Sequence, residues 1–299
     1  MLTQISAVAR PSPLAIARDL ALLAKPRLSS LVICTTAGGI WLAPGRVELP
    51  RALATLVGTT AVVGAANALN NWLERDTDAL MRRTRDRPLP SGRIDPWVAV
   101  ALGLAVPAVA IPALALFAGP LTAFLAALAL FTYVCIYTPL KLRTPLALFV
   151  GAVPGAIPPL IGWTSVTGRL EAGGLALFAL LFCWQLPHFL AVSIYLEEDY
   201  RRGGLQVFSL VHGERAAQGW ALATTLLLVP VSLILLPLGL AGAGYAAVAL
   251  LAGSLLAGYA LYGLTLPKPV TRWARNFFLG TLVYLTVVFA ALFAWSRAP

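Results

Sequence analysis

Between Ala68 and Arg93 the chain reads ALNNWLERDTDALMRRTRDRPLPSGR, and Asn70, Glu74 and Asp78 recur in it every fourth residue. On a helix that spacing puts all three on one face. A second stretch, WQLPHFLAVSIYLEEDYRRGG, lines up Gln185, His188, Tyr195 and Asp199 at steps of three, seven and four. Oxygen-rich stripes of this kind suit a hard cation. Mg²⁺ takes oxygen ligands, keeps several waters, and is held by one or two carboxylates together with substrate phosphates. Arg82, Arg83, Arg85, Arg87 and Arg93 follow the first stripe, and Lys141 and Arg143 stand further on. Guanidinium groups grip phosphate oxygens in pairs, so carboxylates, metal and arginines together suit a diphosphate. Helix ends laced by salt bridges at a membrane surface use the same residue types, and spacing alone leaves both readings open.

The elements that carry these residues follow from composition. Of 299 residues, 59% are hydrophobic and 11% charged, far from a soluble domain. Nine apolar runs, near 27–44, 52–73, 97–118, 120–140, 146–164, 173–195, 217–238, 243–263 and 276–295, have about the 20 residues a helix needs to cross a bilayer. No ten-residue alternation of apolar and polar residues points to a barrel, so the fold class expected is all-α, a polytopic membrane bundle forming a single domain over residues 1–299. Arg18 and Asp19 interrupt the stretch Leu14–Ala24, and no small-residue cleavage site follows, so residues 1–26 read as a lead-in helix lying on the membrane, not a signal peptide. Cys34, Cys135 and Cys183 stand alone in separate spans and read as core residues.

Lys and Arg count 18 on the side of the N-terminus and even-numbered loops, against four on the other. By the positive-inside rule the N-terminus and both motif loops face the cytoplasm of a cell inner membrane. The net charge of +10 then reflects topology and contact with anionic lipid, and nucleic acid is not an expected partner. Acids are uneven too. Nine of twelve lie in two segments on the same side: Glu74, Asp76, Asp78, Asp86 and Asp95, then Glu197, Glu198, Asp199 and Glu214.

Other residues have two readings each. His188, within an apolar span, reads as facing the active cavity, as an iron ligand, a propionate contact or a proton acceptor, against a packing role. His212 reads as solvated. Asp76 turns away from the stripe toward an arginine. Pro154, Pro158 and Pro159 should kink their span, Gly151 and Gly155 bring helices together, and Trp72 and Trp97 anchor the interface. Trp163 and Trp184 read as packing residues. Spans two and six, both acid-tipped, occupy equivalent places in two sets of four helices, which hints at a duplication.

Asn70-x3-Glu74-x3-Asp78 and Tyr195-x3-Asp199 resemble the two motifs of the UbiA-type intramembrane prenyltransferases, and nine helices match that architecture. RTRDRPLPSGR, YTPLKLRTP, GAVPGAIPPLIGWTSVTG and WQLPHFLAVSIYLEEDYRRGG, all within residues 70–204, are similar to the branch of that family that farnesylates protohaem IX. The resemblance implies a farnesyl diphosphate donor, Mg²⁺, and haem as substrate, not cofactor, giving haem O with a haem A synthase downstream. By position it makes Asn70, Glu74, Asp78, Tyr195 and Asp199 catalytic, with Glu74, Asp78 and Asp199 as metal ligands. Beside these, the charge and stripe readings make Arg82, Arg83, Arg85, Arg87, Arg93, Lys141, Arg143, Gln185 and His188 the expected substrate contacts. Some members carry lysine before the last aspartate, where Glu198 stands here. Other readings are a UbiA-type enzyme with an aromatic or quinone-precursor acceptor, a transporter, or a haem-binding membrane protein; a transporter's ionisable residues would lie near the midplane, not at one face.

Overall fold

The computed structural model describes residues 12–296; Arg10 and Arg297, counted in the charge asymmetry, and the first part of the lead-in lie outside them. Among the described residues there is no strand, only an isolated bridge between Ala241 and Ser296. The lead-in helix α1 (Pro13–Leu23) is followed by α2 (Pro26–Leu42), α3 (Leu49–Leu73), the short α4 (Arg75–Leu80), α5 (Pro96–Phe117) and α6 (Pro120–Phe131). A π-helical segment at Thr132–Tyr137 continues α6 into α7 (Thr138–Leu140), before α8 (Ala147–Thr167) and α9 (Ala172–Tyr195). Two short helices, α10 (Glu197–Arg202) and α11 (Phe208–His212), lead to α12 (Glu214–Leu233), α13 (Ala243–Gly263) and α14 (Thr271–Ala294).

Helix starts are written in proline. Pro13, Pro26, Pro96 and Pro120 stand first in their helices, where a missing N–H loses no bond. Eight units among the described residues are long and apolar enough to cross a membrane, with Pro120–Leu140 counted as one. The ninth expected span forms α2, only 17 residues long, or about 26 Å at 1.5 Å per residue. The run at 217–238 also stops short: α12 ends at Leu233, and a turn at 234–239 containing Pro237, which has no N–H to donate, folds Leu235 into the core.

α8 is the most buried span and packs against α2, α6 and α9. Small residues allow this. A Cβ added at Gly162 would meet the Thr36 carbonyl of α2, and one at Gly39 the Pro159 carbonyl of α8. With no hydrophobic drive between helices in lipid, such close approach holds a bundle together through van der Waals contact. Pro154, Pro158 and Pro159 lie inside α8 without ending it.

Several expectations are settled here. Gly155 of α8 faces Gln185 of α9, whose amide donates to the Ala152 and Leu181 carbonyls at 3.1 Å each. Gln185 therefore joins helices, and it does not border the cavity lined by Asn70, Glu74 and Asp78. Trp163 donates to Glu171 at 3.0 Å and Trp184 to the Thr281 carbonyl at 2.6 Å, both buried in packing. Trp97 is exposed, Trp72 packs against the buried cluster of Leu23, Ala68 and Leu89, and His212 is exposed. Cys183 is buried as expected, but Cys34 and Cys135 are exposed. The expectation failed because a residue facing lipid and one facing the core are equally apolar.

The glycine contacts set a stability test. Gly162→Leu should destabilise the purified protein by about 1–3 kcal/mol, the usual cost of overpacking, and lower its thermal unfolding midpoint. Gly258→Leu, at a position with nothing within 4 Å, should leave the midpoint unchanged; equal midpoints for both variants would contradict the α2–α8 contact.

Candidate active site

The last two turns of α3 carry Asn67, Asn70 and Asn71, all buried. Asn67 donates to the Ala24 carbonyl at 3.1 Å and Asn71 to the Leu23 carbonyl at 3.0 Å, while the Ser29 hydroxyl also donates to Ala24 at 2.8 Å. These bonds fix the turn between α1 and α2, where Lys25 has φ 50° and ψ 68°. It is the only non-glycine residue with positive φ among the described residues. Such a conformation persists only where its surroundings over-determine it. The turn delivers the Lys25 ammonium inward, to donate to Asn70 Oδ1 at 2.6 Å. Asn70 in turn donates to Thr138 Oγ1 at 3.0 Å, and that hydroxyl to the Tyr133 carbonyl at 2.8 Å. One amide thus ties the lead-in turn, α3 and the π segment together.

The expected helical stripe is present, with a break. α3 ends at Leu73, Glu74 caps it, and α4 begins at Arg75. Asp78 still donates its N–H to the Glu74 carbonyl at 2.7 Å and Glu74 its own to the Asn70 carbonyl at 2.9 Å. Asn70, Glu74 and Asp78 therefore border one cavity of about 190 Å³. Asp78 is 2% exposed and paired with Arg87 at 2.6 Å. Glu74 is paired with Lys141, whose ammonium lies 4.7 Å from the centre of the Tyr137 ring. Lys25, Arg83, Tyr133, Tyr137 and Tyr200 add to the polar lining, and Leu148, Phe189, Val192 and Phe208 are among its apolar residues.

The π segment matters because widening the helix by one residue per turn re-aims its side chains, and such segments concentrate at functional sites. Here Tyr133 and Tyr137, 5.6 Å apart, both reach the cavity. A Cβ at Gly151 would collide with the Tyr137 ring, so this glycine of α8 makes room for it. Burial raises the Tyr200 phenol pKa. Burial first, then the nearby Arg87 charge, lowers Lys25 to about 7.

Not every expected residue is here. Asp199 stands in the first turn of α10 and accepts the backbone N–H groups of Arg82 and Arg83 at 3.2 Å each. Both its oxygens hold the loop after α4, and it does not border the cavity. Tyr195 stacks with Phe278 at 6.3 Å, also outside it. Arg83 and Arg87 line the cavity, whereas Arg82, Arg85 and Arg143 point to the exposed surface. Arg93 reaches back to Asp19 of α1 at 2.9 Å, stapling the lead-in helix to the loop. Asp76 is exposed and pairs with Arg75 at 3.5 Å. His188 does not border the cavity either; its Nδ1 lies 2.8 Å from Thr281 Oγ1 of α14.

Fold and site together define a polytopic helical membrane protein that holds paired carboxylates and surplus basic groups in one cavity among its helices. The chain belongs to the UbiA prenyltransferase family, matched over residues 31–296. A protein from Anaeromyxobacter sp. (strain Fw109-5) named protoheme IX farnesyltransferase is 65% identical over 292 residues, covering 98% of each chain. Two solved structures share the fold. A UbiA homolog from Aeropyrum pernix K1 superposes with TM-score 0.69 at 20% identity, covering 90% of this chain and 98% of that one. A UbiA homolog from Archaeoglobus fulgidus bound to GPP and Mg²⁺ gives 0.65 at 15% identity, covering 92% and 99%.

Lys25 sets a pH test. Its folded pKa, about 7, lies below the ordinary value of 10.5, because the folded state disfavours the buried charge. Between those values the unfolded chain holds a proton that the folded chain has released, so stability should rise with pH from about 7 to 10.5. Thermal unfolding midpoints across this range should rise less in Lys25→Met than in the parent; equal slopes would contradict the burial of a titrating amine.

Proposed function

We propose that this chain transfers the farnesyl group of farnesyl diphosphate to a vinyl group of protohaem IX, with addition of water, giving haem O and diphosphate. The observation that carries the chemistry is the cavity's charge. Lys25, Arg83, Arg87 and Lys141 face only Glu74 and Asp78, a surplus that calls for an anionic ligand. The acceptor rests on the 65% identity to a protein named protoheme IX farnesyltransferase.

The residues fit magnesium in one particular sense. Among the described residues no three His, Cys, Asp or Glu side chains converge as a metal cage. Mg²⁺ does not need one, since it takes one or two carboxylates and completes its shell with substrate phosphates and water. Glu74 and Asp78 would hold it, with Asn70 beside them; Asp199 would act by fixing the loop that carries Arg83 and Arg87. When bound, the cation would neutralise charge growing on the leaving diphosphate.

The chain's own groups supply the rest. As the allylic carbon–oxygen bond breaks, its electron pair stays on the diphosphate, and Arg83, Arg87 and Lys141 meet that charge most strongly once it is fully formed. Lys25, poised near neutrality, would take up a proton as the anion enters. The farnesyl group is left as an allylic cation. Tyr133 and Tyr137 present ring faces of the kind that attract cations, while Leu148, Phe189, Val192 and Phe208 keep water from it. The vinyl π electrons then form the new carbon–carbon bond, and water adds to the cation this creates, losing a proton. The basic end of the bundle is proposed to face the cytoplasm, and a haem A synthase would use the product.

The test is to incubate the protein in lipid with protohaem, farnesyl diphosphate and Mg²⁺ and follow haem products by mass. A farnesylated, hydrated haem is expected. Glu74→Gln and Asp78→Asn should each reduce its formation by about 10²-fold or more. No haem product, or near-normal turnover in both variants, would contradict the proposal.

A further inference from the structure

His188 lies within α9, one position before Phe189, which lines the carboxylate cavity. Its surroundings are unusually definite. The Thr281 hydroxyl donates to the Phe278 carbonyl at 2.6 Å. A hydroxyl has one proton, and a carbonyl can only accept, so that proton is committed. Thr281 Oγ1 must then accept in its other contact, the 2.8 Å approach to His188 Nδ1. The imidazole proton therefore sits on Nδ1, and the lone pair on Nε2.

Nothing consumes that lone pair. Nε2 has no hydrogen-bond partner among the described residues and is not one of the buried polar atoms without one, and His188 is partly exposed. The ring is held by Trp184 and Phe278, each with its centre 4.8 Å away. Trp184 is itself fixed by its bond to the Thr281 carbonyl, so one residue of α14 orients both rings. An imidazole with Nδ1–H tied to an oxygen and Nε2 open is the arrangement by which proteins present histidine to a metal, and histidine is the common axial ligand of haem iron.

We propose that His188 Nε2 ligates the iron of the acceptor porphyrin and so positions its vinyl group at the donor cavity. This rests on the reading of protohaem as acceptor. The imidazole and Phe189 rings lie 5.8 Å apart, within the breadth of a porphyrin, so a macrocycle held by His188 would be able to reach the cavity that Phe189 lines. Phe278, 4.8 Å from the imidazole, also stacks with Tyr195 at 6.3 Å, so the aromatic face at His188 continues toward α10. Thr281 is a positioning residue: it touches no substrate and acts by fixing the tautomer.

The experiment uses the full chain without farnesyl diphosphate or Mg²⁺. Ferric protohaem and iron-free protoporphyrin IX are titrated separately and followed by absorbance, with electron paramagnetic resonance on the haem complex. The parent protein should bind haem more tightly than the iron-free ring and show a histidine-ligated spectrum. His188→Ala should lose that spectrum and bind the two porphyrins equally. Thr281→Val, which keeps the imidazole but removes the Nδ1 acceptor, should weaken haem binding by about 10-fold or more and leave protoporphyrin IX unchanged. Retention of spectrum and preference in His188→Ala overturns the inference, as does equal loss of both porphyrins, which marks a packing role. A parent protein that binds both rings equally overturns ligation alone. One that binds neither contradicts protohaem as the acceptor.

Discussion

Asp78 is 2% exposed, its carboxylate 2.6 Å from Arg87, and a turn away Glu74 pairs with Lys141. A carboxylate removed from water in a bundle this apolar must have a counter-charge, because leaving one unpaired costs about 3–5 kcal/mol. These pairs are not strong arguments for stability, since desolvation offsets much of their attraction. On the proposed function, their value lies in exchange. A metal-bound diphosphate brings cation for the carboxylates and anion for the arginine and lysine, so ligand entry can replace each pair without exposing a bare charge. On the proposed function, the free protein keeps its site neutralised with the groups that would bind the ligand.

That exchange requires four stretches of chain to meet at one end of the bundle, and Asn70 is where they join. Its amide accepts from Lys25 and donates to Thr138, linking the turn before α2 to the π segment. Each partner adjoins unusual geometry. Lys25 takes a left-handed backbone conformation, held by Asn67 and Asn71, and the π segment rotates Tyr133 and Tyr137 together into the cavity. The glycines of α8 do the quieter part. Gly162 and Gly39 let α2 and α8 approach backbone to backbone, and Gly151 admits Tyr137.

Much of this was legible in the sequence. Apolar runs gave most span ends to within about three residues, because a bilayer demands length and hydrophobicity together, and missed by about five at the end of α12 and the start of α14. The Asn70–Glu74–Asp78 stripe survived a helix break because the four-residue hydrogen bonds continue through it. What failed has physical causes. Helical period cannot tell a carboxylate that faces a cavity from one that caps a loop, which is why Asp199 is found holding the backbone of Arg82 and Arg83. Five arginines of one segment looked alike, yet only Arg83 and Arg87 border the cavity, while Arg93 serves Asp19. Apolar composition could not separate lipid-facing Cys34 and Cys135 from buried Cys183. Lys25 was missed because nothing local foretells a left-handed turn; its one signal was a lone lysine before Pro26 at the head of an apolar run. Tyr133 and Tyr137 stood four apart, but a π segment has no simple pattern to announce it.

The most direct test of the exchange of partners is calorimetric titration of the purified protein with inorganic pyrophosphate, with and without Mg²⁺. Binding should be tight only when both are present. It should collapse in Asp78→Asn even though Arg87, freed from its partner, then offers more positive charge to the anion. Pyrophosphate binding that is indifferent to Mg²⁺, or that strengthens in Asp78→Asn, would show that the cavity attracts anions by basic charge alone and contradict the account.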